Sequence, residues 1–273
     1  MKPIDELSYS DAAAITLVLT DIDDTLTSGG YLGSGAYDAL WRLHRSGIRV
    51  VPVTGRPAGW CDLIVREWPV DAVIGENGAF VYYRDTNGGR IQTFTHPSVA
   101  TDEVRLRLDE VRTAVLRGVS GARVARDQFA RLYDLAIDFR EDPPALSLAE
   151  AQRIKEVCES FGAQAKISSI HVNAWFGDYD KVKMARLFLQ RHWGLDEEHL
   201  KAEVLFCGDS PNDEPMFSYF PNSCAVANIR EYEHLLRYPP TYVSKLPHGE
   251  GFAEIAQTLL QKSSRTQAPG DGL

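Results

Sequence analysis

Three short apolar runs, Ile15 to Thr20, which is rich in β-branched residues, Ile48 to Val53 and Val204 to Cys207, each break off into a loop crowded with acids, hydroxyls or a guanidinium. Runs of this length without polar alternation are buried on both faces, as strands of a helix-covered parallel sheet are. Helical stretches lie around them: Ala36 to Arg45 with Ser34 as N-cap and Gly47 as terminator, Trp60 to Trp68, Lys181 to His192 and Gly251 to Gln261. Further strands are expected at Ala72 to Ile74, at Ala79 to Tyr83 after the Asn77-Gly78 turn, and at Cys224 to Ala227, with a helix near Pro211. Pro52 cannot donate to a ladder, so it implies a bulge or a locally missing partner. The alternation predicts an α/β fold with a Rossmann-like, doubly wound parallel sheet, and chemistry where loops leave the carboxyl ends of its strands.

The rhythm changes between Arg84 and Trp175. A Gly-rich turn (Asn87 to Gly89), a helix (Asp102 to Leu116), a strand (Leu132 to Phe139), a helix (Ser147 to Phe161) and a strand (Ala165 to Ala174) read as an α+β unit inserted into the first. The expected division is a core of 1–83 and 176–262, an inserted unit of 84–175, and a polar tail without fixed structure at 263–273.

Lys and Arg number 29 against 38 Asp and Glu, a formal charge of −9. That excess repels phosphate backbones and argues against a nucleic-acid partner, while leaving room for a small anion in a locally positive pocket. No run approaches the roughly 20 apolar residues of a membrane span, and neither a signal peptide nor a membrane anchor is expected. Cys61, Cys158, Cys207 and Cys224 are scattered, without metal-ligand spacing, which suits small buried hydrophobes in a reducing cytoplasm. Monomer and homodimer remain equally open.

The first strand ends in Thr20-Asp21-Ile22-Asp23-Asp24-Thr25. Asp21 and Asp23 share a side if the chain stays extended, and neighbouring carboxylates repel unless a cation neutralises them or one holds a proton. The second ends in Thr54-Gly55-Arg56, donors of the kind phosphoryl oxygens take. The third runs into Gly208-Asp209-Ser210-Pro211-Asn212-Asp213. Acids at the tips of neighbouring strands form a hard-oxygen cation site suited to Mg²⁺.

These residues resemble the haloacid dehalogenase (HAD) superfamily of phosphatases. Asp21, Asp23 and Thr25 match its Asp-x-Asp-x-Thr motif, Thr54 its second motif, Lys181 the Lys that opens a helix, and Gly208, Asp209 and Asp213 its Gly-Asp-x-x-x-Asp. The Glu76-Asn77-Gly78-Ala79 segment, Asn212 and Met216 look like further features of the branch with an inserted α+β cap. Asp21 and Thr54 are 33 positions apart, against 127 for Thr54 and Lys181, so only the second interval has room for a cap. The resemblance thus implies a HAD core with a class IIB type cap closing over the site. Relatives often place Gly after the motif Lys; here Val182 follows and Lys183 stands two positions on, and register selects Lys181.

The resemblance implies the following roles. Asp21 is the nucleophile, forming an aspartyl-phosphate, and Asp23 the acid and base. Thr54 and Lys181 bind the phosphoryl oxygens. Mg²⁺ is held by a set drawn from Asp21, Asp23 (through its carbonyl), Asp209 and Asp213, with Asp213 and Asn212 alternatively orienting Asp209, its waters or Lys181. Arg56 is either a substrate contact or a surface residue. Asn77, His171, Asn173 and Trp175 fall near the junctions of the two units and would suit a sugar or polyol, although a strand Trp and an alternating His serve as readily in packing. The expected function is hydrolysis of a small phosphorylated metabolite, a sugar phosphate. A phosphosugar mutase resembling the phosphomannomutases and a catalytically silent phosphate-binding module are the alternatives.

Overall fold

Lys2–Pro3 (β1) and Tyr9–Ala14 (α1), capped by the Ser8 hydroxyl on the Asp11 amide, lead into Leu17–Thr20 (β2), buried at every position. In the computed structural model, which describes residues 1–85, 89–99, 103–168 and 170–263, a small hairpin (Thr27–Ser28, β3; Tyr31–Leu32, β4) follows. Helix Ser34–Arg45 (α2) begins one position earlier than the Ser34 cap implied: Gly33 takes the extended cap conformation and no side chain caps the helix. Arg49–Pro52 (β5), Ala58–Glu67 (α3) and Ala72–Gly75 (β6) complete the first half of the core. Pro52 causes no bulge. Arg49 and Val53 donate toward β2, whereas the even positions face β6, where only an isolated Val53–Ile74 bridge forms. The missing donor of Pro52 thus falls on the side without a ladder.

Phe80–Arg84 (β7) and Ile91–Thr95 (β8) form an antiparallel sheet with β6, in register from Arg84–Ile91 to Phe80–Thr95. Position 84, the expected boundary, is the last residue of β7 and pairs with Ile91 of β8 in this hairpin; the turn at Asn87 lies outside the described residues, Gly89 just within them. The inserted layer is Glu103–Gly118 (α4), Arg123–Val124 (β9), Asp134–Asp138 (β10), Leu148–Ser160 (α5), Gln164–Ile167 (β11) and His171–Trp175 (β12). Its strands run antiparallel in the order β11-β12-β10-β9. The single strand expected at 165–174 is two: Ser168 accepts from the His171 amide and donates to the His171 carbonyl where β11 gives way to β12.

Lys181–Trp193 (α6), Glu197–Glu203 (α7), Val204–Gly208 (β13), Glu214–Tyr219 (α8), Ser223–Ala225 (β14), Tyr242–Val243 (β15) and His248–Lys262 (α9) finish the core. The stretch at Pro211–Asp213 is a 3₁₀ turn that leads into α8. Apart from Ser263, the tail lies outside the described residues. The main sheet has the order β1-β15-β14-β13-β2-β5, all parallel. Val18, Val50 and Leu205 face the layer containing α2, α3 and α9, while Leu17, Leu19, Val51 and Phe206 face α6 and α8. Both faces being covered explains why these strands are continuously apolar. The four cysteines are free and buried. Among the described residues no helix is long and apolar enough to cross a membrane.

Alternation in the inserted sheet separates two surfaces. Leu135, Ile137, Val172 and Ala174 join Val111, Val115 and Ile154 of α4 and α5 in a third apolar cluster. The opposite face, Asp134, Asp138, His171, Asn173 and Trp175, is also buried but mostly polar, because it lies against the core. At the core side Gly78 (φ 104°) approaches the start of α6 so closely that a Cβ would meet the Asp180 carbonyl oxygen at 2.3 Å. Gly78→Ala is expected to destabilise the fold by roughly 2–3 kcal/mol, read as a lowered thermal midpoint; an unchanged midpoint would show that this contact yields freely.

Candidate active site

The tips of β2, β5 and β13 and the first turn of α6 meet at one place. The Asp21 amide donates to the Cys207 carbonyl at 2.9 Å, extending the pairing of β2 with β13 by one residue and fixing Asp21 beside Gly208 and Asp209. The chain then turns, with the amides of Thr25, Leu26 and Thr27 on the Ile22 carbonyl and Asp24 at φ 58°. Lys181 reaches in from α6, its Nζ 2.7 Å from Asp21 Oδ1 and 3.0 Å from Asp213 Oδ1. Lys181 is enclosed, whereas Lys183 is exposed and pairs with Asp178.

Asp213 is fully buried, and its second oxygen accepts the Asp209 amide at 3.1 Å. Gly208 makes room for it, since a Cβ there would lie 2.5 Å from Asp213 Oδ2. Asp209 accepts from Thr25 Oγ1 at 3.1 Å and from Asn228 Nδ2 at 3.3 Å. Carboxylate oxygens of Asp21, Asp209 and Asp213 lie within 4.8 Å of one another. Three buried acids around a single ammonium leave negative charge uncompensated. Burial pushes the Asp21 carboxyl up to about 7 despite Lys181, and burial together with Asp213 and Asp21 pushes Asp209 well up. Burial draws Lys181 down, but the charges of Asp21 and Asp213 outweigh it and leave its ammonium raised. A hard divalent cation among these oxygens would remove the excess, so the donor set fits Mg²⁺.

Asp23 lies outside that triad. Its carboxylate accepts from Arg56 Nε at 3.1 and 3.3 Å, and Arg56 in turn stacks on Trp60 with 4.2 Å to the ring centroid. Arg56 is thus neither a bare surface residue nor a free cation. Thr54 is buried behind the pocket wall, its hydroxyl accepting the Arg56 amide at 3.0 Å.

Asp21, Asp23, Arg56 and Lys181 line a pocket of about 40 Å³ whose other side is the polar face of the inserted sheet, with His171 and Asn173. Asn77 and Asn212 line it too, so eight of the twelve residues proposed from sequence line this one place, and Asp209 and Asp213 lie beside its Asp21. Thr54 sits just behind it. Trp175 does not reach it: although on the same face of β12 as His171 and Asn173, it is fully buried, stacks on Tyr179 and donates to the Tyr179 carbonyl at 3.2 Å. The apolar bulk of an indole is more stable filling the junction than lining a polar pocket.

Several residues were missed. Asn228 follows β14 as the acids follow β2 and β13, so the strand-tip rule would have found it. Arg131 donates to Asp127 (3.1 Å), Asp134 (3.0 Å) and the Gly55 carbonyl (2.9 Å), and Glu141 accepts His171 at 2.8 Å. Nothing local in the sequence marks these. The pocket shares Ser168, Ser210 and Asn212 with a cleft of about 490 Å³ bordered by Leu148, Ile167, Tyr232 and Leu235.

Residues 18–104 match the model of haloacid dehalogenase-like hydrolases. A phosphoglycolate phosphatase from Methanospirillum hungatei JF-1 is 27% identical over 243 residues, covering 87% of this chain and 94% of its own. A solved structure from Thermoplasma acidophilum superposes with a TM-score of 0.68 at 21% identity, covering 90% of this chain and 98% of its own. The sucrose-phosphatase of Synechocystis sp. PCC6803, solved with sucrose and phosphate, gives 0.62 at 18% identity, covering 89% and 97%.

Proposed function

We propose that this chain, similar to haloacid dehalogenase-like hydrolases over residues 18–104 and to a phosphoglycolate phosphatase over most of its length, is a phosphatase of that family that hydrolyses the phosphate ester of a small sugar or polyol with Mg²⁺, through an aspartyl-phosphate on Asp21. The observation that carries the reading is the enclosed Asp21 carboxylate, with one oxygen held by Lys181 and Asp209 and Asp213 alongside. In the first step Asp21 attacks phosphorus, the phosphorus–alcohol bond breaks, and Asp23 supplies the proton to the departing oxygen. In the second, Asp23 takes a proton from water as it attacks the same phosphorus, and the bond to Asp21 breaks. Lys181 and Thr54 hold equatorial oxygens. Arg56 orients Asp23. Mg²⁺, held by Asp21, Asp209 and the Asp23 carbonyl, would supply charge neutralisation at the phosphoryl group. With both oxygens of Asp213 engaged by Lys181 and the Asp209 amide, this acid is assigned to positioning those groups.

The inserted layer acts as the cap, its polar sheet face over the pocket and its boundary after the β7–β8 hairpin. The cations lining the pocket are each paired with a carboxylate, Arg56 with Asp23, Arg131 with Asp127 and Asp134, and Lys181 with Asp21 and Asp213, and His171 hydrogen-bonds to Glu141. A neutral polyol finds amides, hydroxyls and carboxylate acceptors there, and the adjoining cleft gives it room. A carboxylated alcohol would add charge to an already acidic wall. In a phosphate-release screen, sugar and polyol phosphates are expected to exceed 2-phosphoglycolate in kcat/KM by at least about tenfold, or about 1.4 kcal/mol. The reverse order would overturn this substrate class, and dependence of release on an added bisphosphate would favour a mutase.

A phosphocarboxylate is the second reading, favoured by Lys166. It stands opposite Asn173 on the pocket-side face of β11, burial and the nearby Lys181 charge draw its ammonium down, and among the described residues it has no hydrogen-bond or ion-pair partner. The curated relative's name points the same way. Lys166→Met would then raise KM for 2-phosphoglycolate alone. No nucleic-acid or membrane partner is part of either reading, and a cytoplasmic monomer or homodimer suits both.

A further inference from the structure

Glu76 stands at the tip of β6, fully buried, and none of the steps above uses it. Its Oε1 accepts the Ala58 amide at 3.0 Å and the Leu132 amide at 2.9 Å; its Oε2 accepts the Tyr133 amide at 2.7 Å and the Asp134 amide at 3.2 Å. One of these donors opens α3 in the core. The other three are consecutive amides where the inserted layer enters β10, more than fifty positions away. Beside this junction Arg131 donates to the core carbonyl of Gly55 at 2.9 Å, and Gly59 lies so near Ala130 that a Cβ would come within 2.9 Å of the Ala130 Cβ.

Backbone strain accompanies the arrangement. Glu76 and Asn77 have φ of 43° and 56°, and non-glycine residues in that region cost on the order of 1–3 kcal/mol each. Such strain persists where surroundings over-determine it, and four amides on one carboxylate do so. The strained turn also delivers Asn77 to the pocket. Asp134, whose own amide is clamped, accepts from Asn173 Nδ2 at 3.0 Å and faces Asn77 Nδ2 at 3.5 Å.

We propose that Glu76 is a positioning residue that seats the inserted layer on the core and thereby sets Asn77 and, through Asp134, Asn173 at the pocket wall. The carboxylate is the needed group because it offers only acceptors to four converging donors, in the manner of a helix cap extended across two layers. An amide in its place aims N–H groups at N–H groups.

Glu76→Gln tests this by hydrogen exchange of the full-length protein. Amides of 132–134 are expected to exchange at least tenfold faster while β2 and β13 keep their protection. In steady-state kinetics on the best sugar phosphate from the screen, KM should rise at least tenfold with kcat within about threefold, the signature of lost binding shared by ground and transition states. Unchanged exchange at 132–134, uniform loosening of the whole chain, or a loss confined to kcat would each overturn the proposal. Should the Gln variant fail to fold, Glu76→Asp keeps the charge but shortens the reach; the same local exchange change is expected and a parent-like pattern would overturn it. The exchange measurement needs no substrate, so its failure is separate from failure of the phosphatase chemistry.

Discussion

Asp21→Asn is expected to lower kcat by on the order of 10⁴-fold or more, because an amide cannot form the covalent intermediate and positioning by Lys181 alone does not replace a nucleophile. Phosphate release from the best substrate in excess Mg²⁺ is the measurement, and activity within tenfold of the parent would refute Asp21 as nucleophile. Folding should survive. The swap is nearly isosteric, and Lys181 keeps Asp213 as partner. Stability should even favour the variant in metal-free buffer. An acid whose folded value is raised to about 7 from an ordinary 3.8 binds its proton more tightly when folded, so ionising it destabilises the fold as pH rises across that interval. The thermal midpoint of Asp21→Asn relative to the parent should therefore climb between about pH 4 and pH 7 and level off above, by the equivalent of a few kcal/mol at most, at about 1.4 kcal/mol per pKa unit. A flat difference would mean that Lys181 already neutralises Asp21.

Removal of the divalent cation is the second large effect. Chelation should silence the enzyme and Mg²⁺ should restore it, whereas Ca²⁺ should support it poorly because its longer, more variable coordination misplaces the reacting oxygens. Asp209→Ala should lose roughly 10³-fold or more in kcat, the scale on which a single charge-stabilising group acts. A readout independent of turnover comes from ligand linkage: Mg²⁺ should raise the melting temperature of the parent and leave Asp209→Ala unmoved. Full activity in chelator, or equal Mg²⁺ stabilisation of both proteins, would remove the metal from this site.

The strand-tip residues were legible because their chemistry is local. A buried parallel strand announces itself by continuous apolar character, and the residues just after it are placed by the sheet, so Asp21, Thr54 and Asp209 followed once β2, β5 and β13 were recognised. Pro52 was legible as an exception; only the pairing pattern showed that its missing donor faces the side without a ladder. The hairpin of β11 and β12 was hidden by an apolar run on either side of Ser168, which reads as one strand until the turn's hydrogen bonds are seen.

Sequence alone determined the α/β core and the order in which its acids and hydroxyls come to the sheet edge, since both follow from residue periodicity along the chain; the interval roomy enough for an insertion was read from motifs that resemble a known family. Tertiary structure decided which groups meet across that chain: Arg56 on Asp23, Arg131 on Gly55, Glu76 on the three amides of 132–134 at the start of β10, and Trp175 in packing instead of the pocket. Most of those contacts join residues tens of positions apart, and their energies come from desolvation and hydrogen-bond geometry that arise only when the chain has folded.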